Sequence, residues 1–76
     1  LTIFPNPAYS AVTIRFEEPP GQIAYQLSDS QGRIISTGNS LVIEELTLSM
    51  AAWPNGSYQL DIRSDSRSWR NRLLKQ

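Results

Sequence analysis

The chain predicts an all-β fold, a small antiparallel β-sandwich of about seven strands. Apolar residues alternate with polar ones at period two over most of its length, and turn-forming Pro, Gly, Asn and Asp recur about every ten residues. Only Glu44 to Ala52 could be drawn as a helix, and there strand-favouring residues and the following Pro54 argue against it. With 76 residues the chain makes a single domain, near the lower size at which a core sustains a fold unaided.

Thr2 to Phe4 is a short opening strand that Pro5 ends. Val12, Ile14 and Phe16 alternate as a second strand and stop at Glu17-Glu18-Pro19-Pro20-Gly21, where Pro20-Gly21 suits the middle of a type II turn. Ile23, Tyr25 and Leu27 form the third. Ser28-Asp29-Ser30-Gln31-Gly32 is a tight hairpin loop with Gly32 at a position that calls for a left-handed backbone. Ile34-Ile35 is the return strand, expected to close at Thr37-Gly38-Asn39-Ser40. Between Leu41 and Trp53 the apolar parity switches at Glu44-Glu45, which predicts a bulge or two short strands, with at most one helical turn at Ser49 to Ala52. The turn Trp53-Pro54-Asn55-Gly56 then releases into Tyr58, Leu60 and Ile62, all on one face. Ser64-Asp65-Ser66 is a polar turn, and Ser68 to Lys75 reads as the last strand. Val12, Ile14, Phe16, Ile23, Tyr25, Leu27, Tyr58, Leu60 and Ile62 are the expected core.

A tyrosine just inside such a strand resembles the corner tyrosine of immunoglobulin-like sandwiches, in which a buried ring and a hydroxyl-to-backbone bond fix the loop. The fold expected is therefore immunoglobulin-like.

Composition narrows the chemistry. With 39% hydrophobic and 18% charged residues the chain is globular in type, and no apolar run approaches the ~20 residues of a membrane span, so stable membrane insertion is not expected. Histidine and cysteine are both absent, which removes the commonest general base, the thiol nucleophile, disulfides and most transition-metal sites. The carboxylate pairs Glu17-Glu18 and Glu44-Glu45 are adjacent, so on a strand each pair points to opposite faces and cannot converge on one bond. The glycines stand singly in turns, without a phosphate-cradling loop. Asp29-Ser30-Gln31-Gly32 lacks the further oxygen ligands of a calcium loop. No catalytic residue, cofactor or metal is expected, and the chain is not expected to be an enzyme.

Net charge is zero but unevenly spread. Residues 1–60 carry Arg15 and Arg33 against Glu17, Glu18, Asp29, Glu44 and Glu45, while residues 61–76 carry Arg63, Arg67, Arg70, Arg72 and Lys75 against Asp61 and Asp65. So small a basic excess suits a soluble edge strand or an acidic protein partner, and nucleic acid is not an expected partner. Tyr9, Tyr25, Trp53 and Trp69 offer another reading, a sugar-stacking platform, against the plainer one that they serve the core.

Taken in order, the turn motifs resemble the C-terminal sorting domain of the bacterial type IX secretion system, over essentially the whole chain. Phe4-Pro5-Asn6-Pro7-Ala8 is similar to the family's opening Tyr/Phe-Pro-Asn-Pro box. Tyr25 to Ile35 is similar to its strand, Asp-containing loop, Gly-Lys/Arg and apolar return. Leu46-Thr47-Leu48-Ser49 follows, then Gly56-Ser57-Tyr58 in the manner of the Gly-x-Tyr box, and Trp69 to Lys75 resembles the basic terminus. Trp53 stands where the family usually has leucine, the tail is Arg-rich rather than Lys-rich, and Gln76 follows Lys75.

The resemblance implies a non-catalytic C-terminal signal on a larger cargo; the chain opens on Leu1 and is expected to be a piece of something larger or a processed product. It implies passage through the periplasm to the cell surface or medium, with an outer-membrane translocon, a shuttle protein and a sortase-like peptidase as partners. Pro5, Asn6, Pro7, Gly32, Gly56, Tyr58, Arg70, Arg72, Leu73, Leu74 and Lys75 are the expected translocon-recognition residues. The last strand is expected to be an exposed edge that detaches at low cost. The alternative function is an accessory carbohydrate-binding or structural module of an extracellular enzyme.

Overall fold

The computed structural model describes residues 1–5, 8–42 and 44–76, and these form two antiparallel sheets with no helix among them. The strands are β1 (Thr2–Phe4), β2 (Ala11–Arg15), β3 (Gly21–Asp29), β4 (Ile34–Val42), β5 (Glu45–Ser49), β6 (Gly56–Arg63) and β7 (Ser68–Lys75). One sheet has the order β1-β2-β5 and the other β4-β3-β6-β7. The seven-stranded all-β architecture is the one the alternation predicts. The bounds of β1 and β7 coincide with the expected strands.

The core lies between the sheets because each strand turns its apolar parity inward. Val12, Ile14 and Leu48 from the smaller sheet meet Ile23, Leu27, Tyr58, Leu60, Ile62 and Leu73 from the larger. Phe16, Val42, Met50 and Ala8 close the cluster. Outward, β2 and β5 pair complementary side chains: Thr13 faces Thr47 with hydroxyl oxygens 3.3 Å apart, and Arg15 reaches Glu45 at 3.4 Å.

Tyr25 departs from the expected core in being only half-buried. Its register partner on β4 is Gly38, and with no side chain there the ring covers the glycine backbone instead of entering the centre. The same pair corrects a second expectation. Thr37-Gly38-Asn39-Ser40 does not close the return strand but runs through its middle, paired residue by residue with Gln26, Tyr25, Ala24 and Ile23. A polar edge strand and a loop have similar compositions, and here four consecutive residues of β3 hold the segment extended. The register shifts once, between Leu27 and Ser28, at the start of β4.

The parity switch near Glu44-Glu45 marks a passage from one sheet to the other, giving two strands as the pattern suggested. Ile43 lies outside the described residues. The turn after β5 starts at Met50 instead of Ser49: the Trp53 amide donates to the Met50 carbonyl at 3.1 Å. The Met50 amide is held by the Ser10 carbonyl at 2.8 Å.

β7 is an edge strand, as expected, but a firmly held one. Leu73 is fully buried and Lys75 is 9% exposed. Ala8 pairs beside its end: the Ala8 amide donates to the Leu74 carbonyl at 2.7 Å and the Gln76 amide to the Ala8 carbonyl at 2.8 Å. Detaching this strand would open the core, so it is not a low-cost handle.

Candidate functional site

The motif residues divide into those that fix the shape of the domain and those that face solvent. Tyr58 belongs to the first group. β6 is paired on both sides, by β3 and β7, so its inward row of Tyr58, Leu60 and Ile62 is buried throughout. The Tyr58 hydroxyl donates to the Pro54 carbonyl, and its ring tilts against Trp53 with centroids 5.8 Å apart. One side chain thus pins the turn that precedes its own strand, the corner expected from the sequence. Gly56 opens the strand with φ +151° opposite Lys75.

The β3–β4 hairpin is fixed by Asp29, which the sequence placed in the loop without a bonding role. Asp29 Oδ1 accepts the amides of Gln31 and Arg33, both at 2.9 Å, and Oδ2 accepts Arg33 Nε at 2.8 Å. The Gly32 amide donates to the Asp29 carbonyl at 3.0 Å with Gly32 at φ +84°, the left-handed conformation anticipated there. The Arg33 amide bond, foremost among these donors, holds the Asp29 carboxyl below its ordinary range against an opposing desolvation. Both carboxylate oxygens are engaged by N–H donors, as in an Asx turn. The aspartate three residues before a glycine was the readable signal.

On β7 the inward row is Trp69, Asn71, Leu73 and Lys75, and the outward row is Ser68, Arg70, Arg72 and Leu74. Arg70 Nε donates to Asp61 Oδ1 at 2.7 Å across the β6–β7 pair, while the arginine side chain stays 73% exposed. Arg72 sits opposite Gln59 and Leu74 opposite Ser57. Of the residues expected at the recognition site, Gly32, Tyr58 and Arg72 line one shallow depression with Ser28, Asp29 and Ser57. Arg70 and Leu74 continue the row on either side of Arg72. Leu73 lies beneath it in the core. Pro5 is exposed after β1 on the other sheet, its peptide bond to Phe4 cis. Asn6 and Pro7 lie outside the described residues, but Ala8, next in that box, is bonded to the end of β7.

The aromatics do not assemble a platform. Trp69 meets Phe16 edge-on at 5.2 Å, with the Arg67 guanidinium 5.1 Å over its ring. Trp53 is against Tyr58, and Tyr25 lies over Gly38. Tyr9 alone of the four is broadly exposed, at 59%. Among the described residues no three His, Cys, Asp or Glu side chains gather as metal ligands, and no helix is long and apolar enough to cross a membrane.

Compared with known proteins, residues 2–76 match the profile of a family described as the secretion system C-terminal sorting domain. No curated protein matches the chain.

Proposed function

Since the chain belongs to the secretion system C-terminal sorting domain family, we propose that it is the address by which a fused cargo is exported in folded form, read from the outward row of β7. The domain is a C-terminal sorting signal of type IX secretion, for a protein bound for the cell surface or medium. The family match over residues 2–76 carries this reading.

The cargo, delivered to the periplasm, is presented to the outer-membrane translocon and its shuttle protein by a rigid surface and not by an unravelled tail. Gly32, Gly56, Tyr58 and Leu73 serve by holding that surface in shape. Arg70, Arg72 and Leu74 make the contact, the guanidinium groups steering an acidic receptor and Leu74 adding apolar area. Ala8, which follows the box of Pro5, Asn6 and Pro7, ties the start of the domain to the end of β7 through its bonds to Leu74 and Gln76, beside Lys75. At the surface a sortase-like peptidase then removes the domain, which itself supplies no catalytic group.

Fusing residues 1–76 behind a fluorescent reporter with a periplasmic signal peptide tests the reading. The fusion should be exported when the domain ends the chain and retained when the domain is placed within it. Export from both positions, or saturable glycan binding by the isolated domain, would instead support the accessory-module reading.

A further inference from the structure

Strand edges invite further pairing, and folded proteins blunt them with charge, proline, shortness or a cover. β7 carries Arg70, Arg72 and Lys75 and has Ala8 against its end. β1 has three residues, and β5 has five and starts with Glu45. β4 differs from all of them. It is nine residues long, Ile34-Ile35-Ser36-Thr37-Gly38-Asn39-Ser40-Leu41-Val42, with neither a charged residue nor a proline. Among the described residues β3 is its one paired neighbour. Its irregularity is confined to the register shift at Ile34–Ile35, so the run from Ser36 to Val42 presents a regular free edge.

We propose that this edge is a self-association surface, on which two copies pair β4 to β4, antiparallel, about a twofold axis through Gly38. The occupant is named by the strand itself, which reads as a chemical palindrome about that glycine. Antiparallel pairing in this register sets Thr37 opposite Asn39 and Ser36 opposite Ser40, each twice, with Leu41 reaching the bulge at Ile35. Ile34, Ile35 and Leu41 are 58%, 39% and 68% exposed, half of the six large hydrophobic side chains left in solvent among the described residues. Self-pairing brings each copy's Leu41 beside the other's Ile35 and shields that pair from solvent. No like charges meet across the axis, and the two four-stranded sheets join into one. Edge pairing of this length covers less than the ~1,000 Å² of a stable interface, so the dimer is concentration-dependent. The inference rests on β4 alone and stands or falls separately from the sorting role.

Sedimentation equilibrium on the 76-residue chain, from micromolar to about 1 mM, reads the association directly. The apparent mass should rise from 8.6 kDa toward that of a dimer. The paired variants T37K/N39K and T37K/N39E test the register, because positions 37 and 39 are exposed and face each other across the axis. The first puts lysine opposite lysine twice and should remain monomeric throughout. The second puts lysine opposite glutamate twice and should associate again, less so in high salt. Circular dichroism should give one spectrum for all three chains. A wild type that stays monomeric over the whole range overturns the proposal, even if its edge captures an unrelated extended peptide. So does a T37K/N39E variant that associates no better than T37K/N39K.

Discussion

Gly38 faces Tyr25 across the β3–β4 pair, and replacing it with alanine is the sharpest test of how this sheet is built. An ideal Cβ on Gly38 would lie 2.5 Å from Tyr25 Oη, 2.6 Å from Cζ and 2.8 Å from Cε2. Ordinary contacts are about 3.5–4.0 Å, so the ring must retreat by roughly 1 Å. Overpacking of this kind costs about 1–3 kcal/mol. Against it, alanine is better than glycine in a strand by about 0.5–1 kcal/mol. The balance is a loss of about 0–2.5 kcal/mol, centred near 1. Urea unfolding at micromolar concentration measures it, provided the slope with denaturant is unchanged. The decisive comparison repeats Gly38→Ala in a Tyr25→Leu background, where the obstructing ring is gone. There the substitution should be neutral or stabilising, giving a coupling of about 0.5–3 kcal/mol. Equal losses in both backgrounds, or a gain in the wild type, would refute the claim that the tyrosine ring covers the glycine.

Three further outcomes follow from the described contacts. Tyr58→Phe should lose about 0.5–1.5 kcal/mol, toward the low end because Pro54 is exposed and water can reach its carbonyl; Tyr58→Ala should lose about 3–5 kcal/mol, both read by urea midpoint. The Asp29 carboxyl is held below its unfolded value, so its contribution is full above about pH 4 and is lost as pH falls through the lowered native value; thermal melts of Asp29→Asn should therefore lose less stability across that acid window than the wild type. Arg70→Glu combined with Arg72→Glu should lower export of a reporter fusion several-fold with a melting temperature close to wild type, since an exposed pair such as Arg70–Asp61 is worth at most about 1 kcal/mol.

What could be read from the sequence was local. The corner at Pro54 to Tyr58, the left-handed Gly32 and the limits of β7 each follow from a few neighbouring residues whose turn chemistry and alternation agree. What could not be read depends on partners far along the chain. Thr37 to Ser40 has the composition of a turn, and it became strand because β3 pairs along its whole length. The crossing near Glu44 gave only a change of parity, which does not say which sheet each half joins. For the candidate site, the exposure of Arg70, Arg72 and Leu74 follows from the alternation of β7. The burial of Leu73 and Lys75 was missed because charge and terminal position suggested a loose strand, while Ala8, more than sixty residues away, bonds to its end. Asp29 was visible as a loop residue, but its four-residue reach to Arg33 needed the folded hairpin.

If the folded domain is itself the export address, export depends on the type IX translocon. The most direct measurement is the fraction of a periplasmic reporter, fused ahead of residues 1–76, that reaches the surface and medium in two strains differing only in the type IX outer-membrane translocon. Most of the reporter should lie outside in the strain with the translocon and almost all of it in the periplasm without it. Equal distribution in the two strains would contradict it.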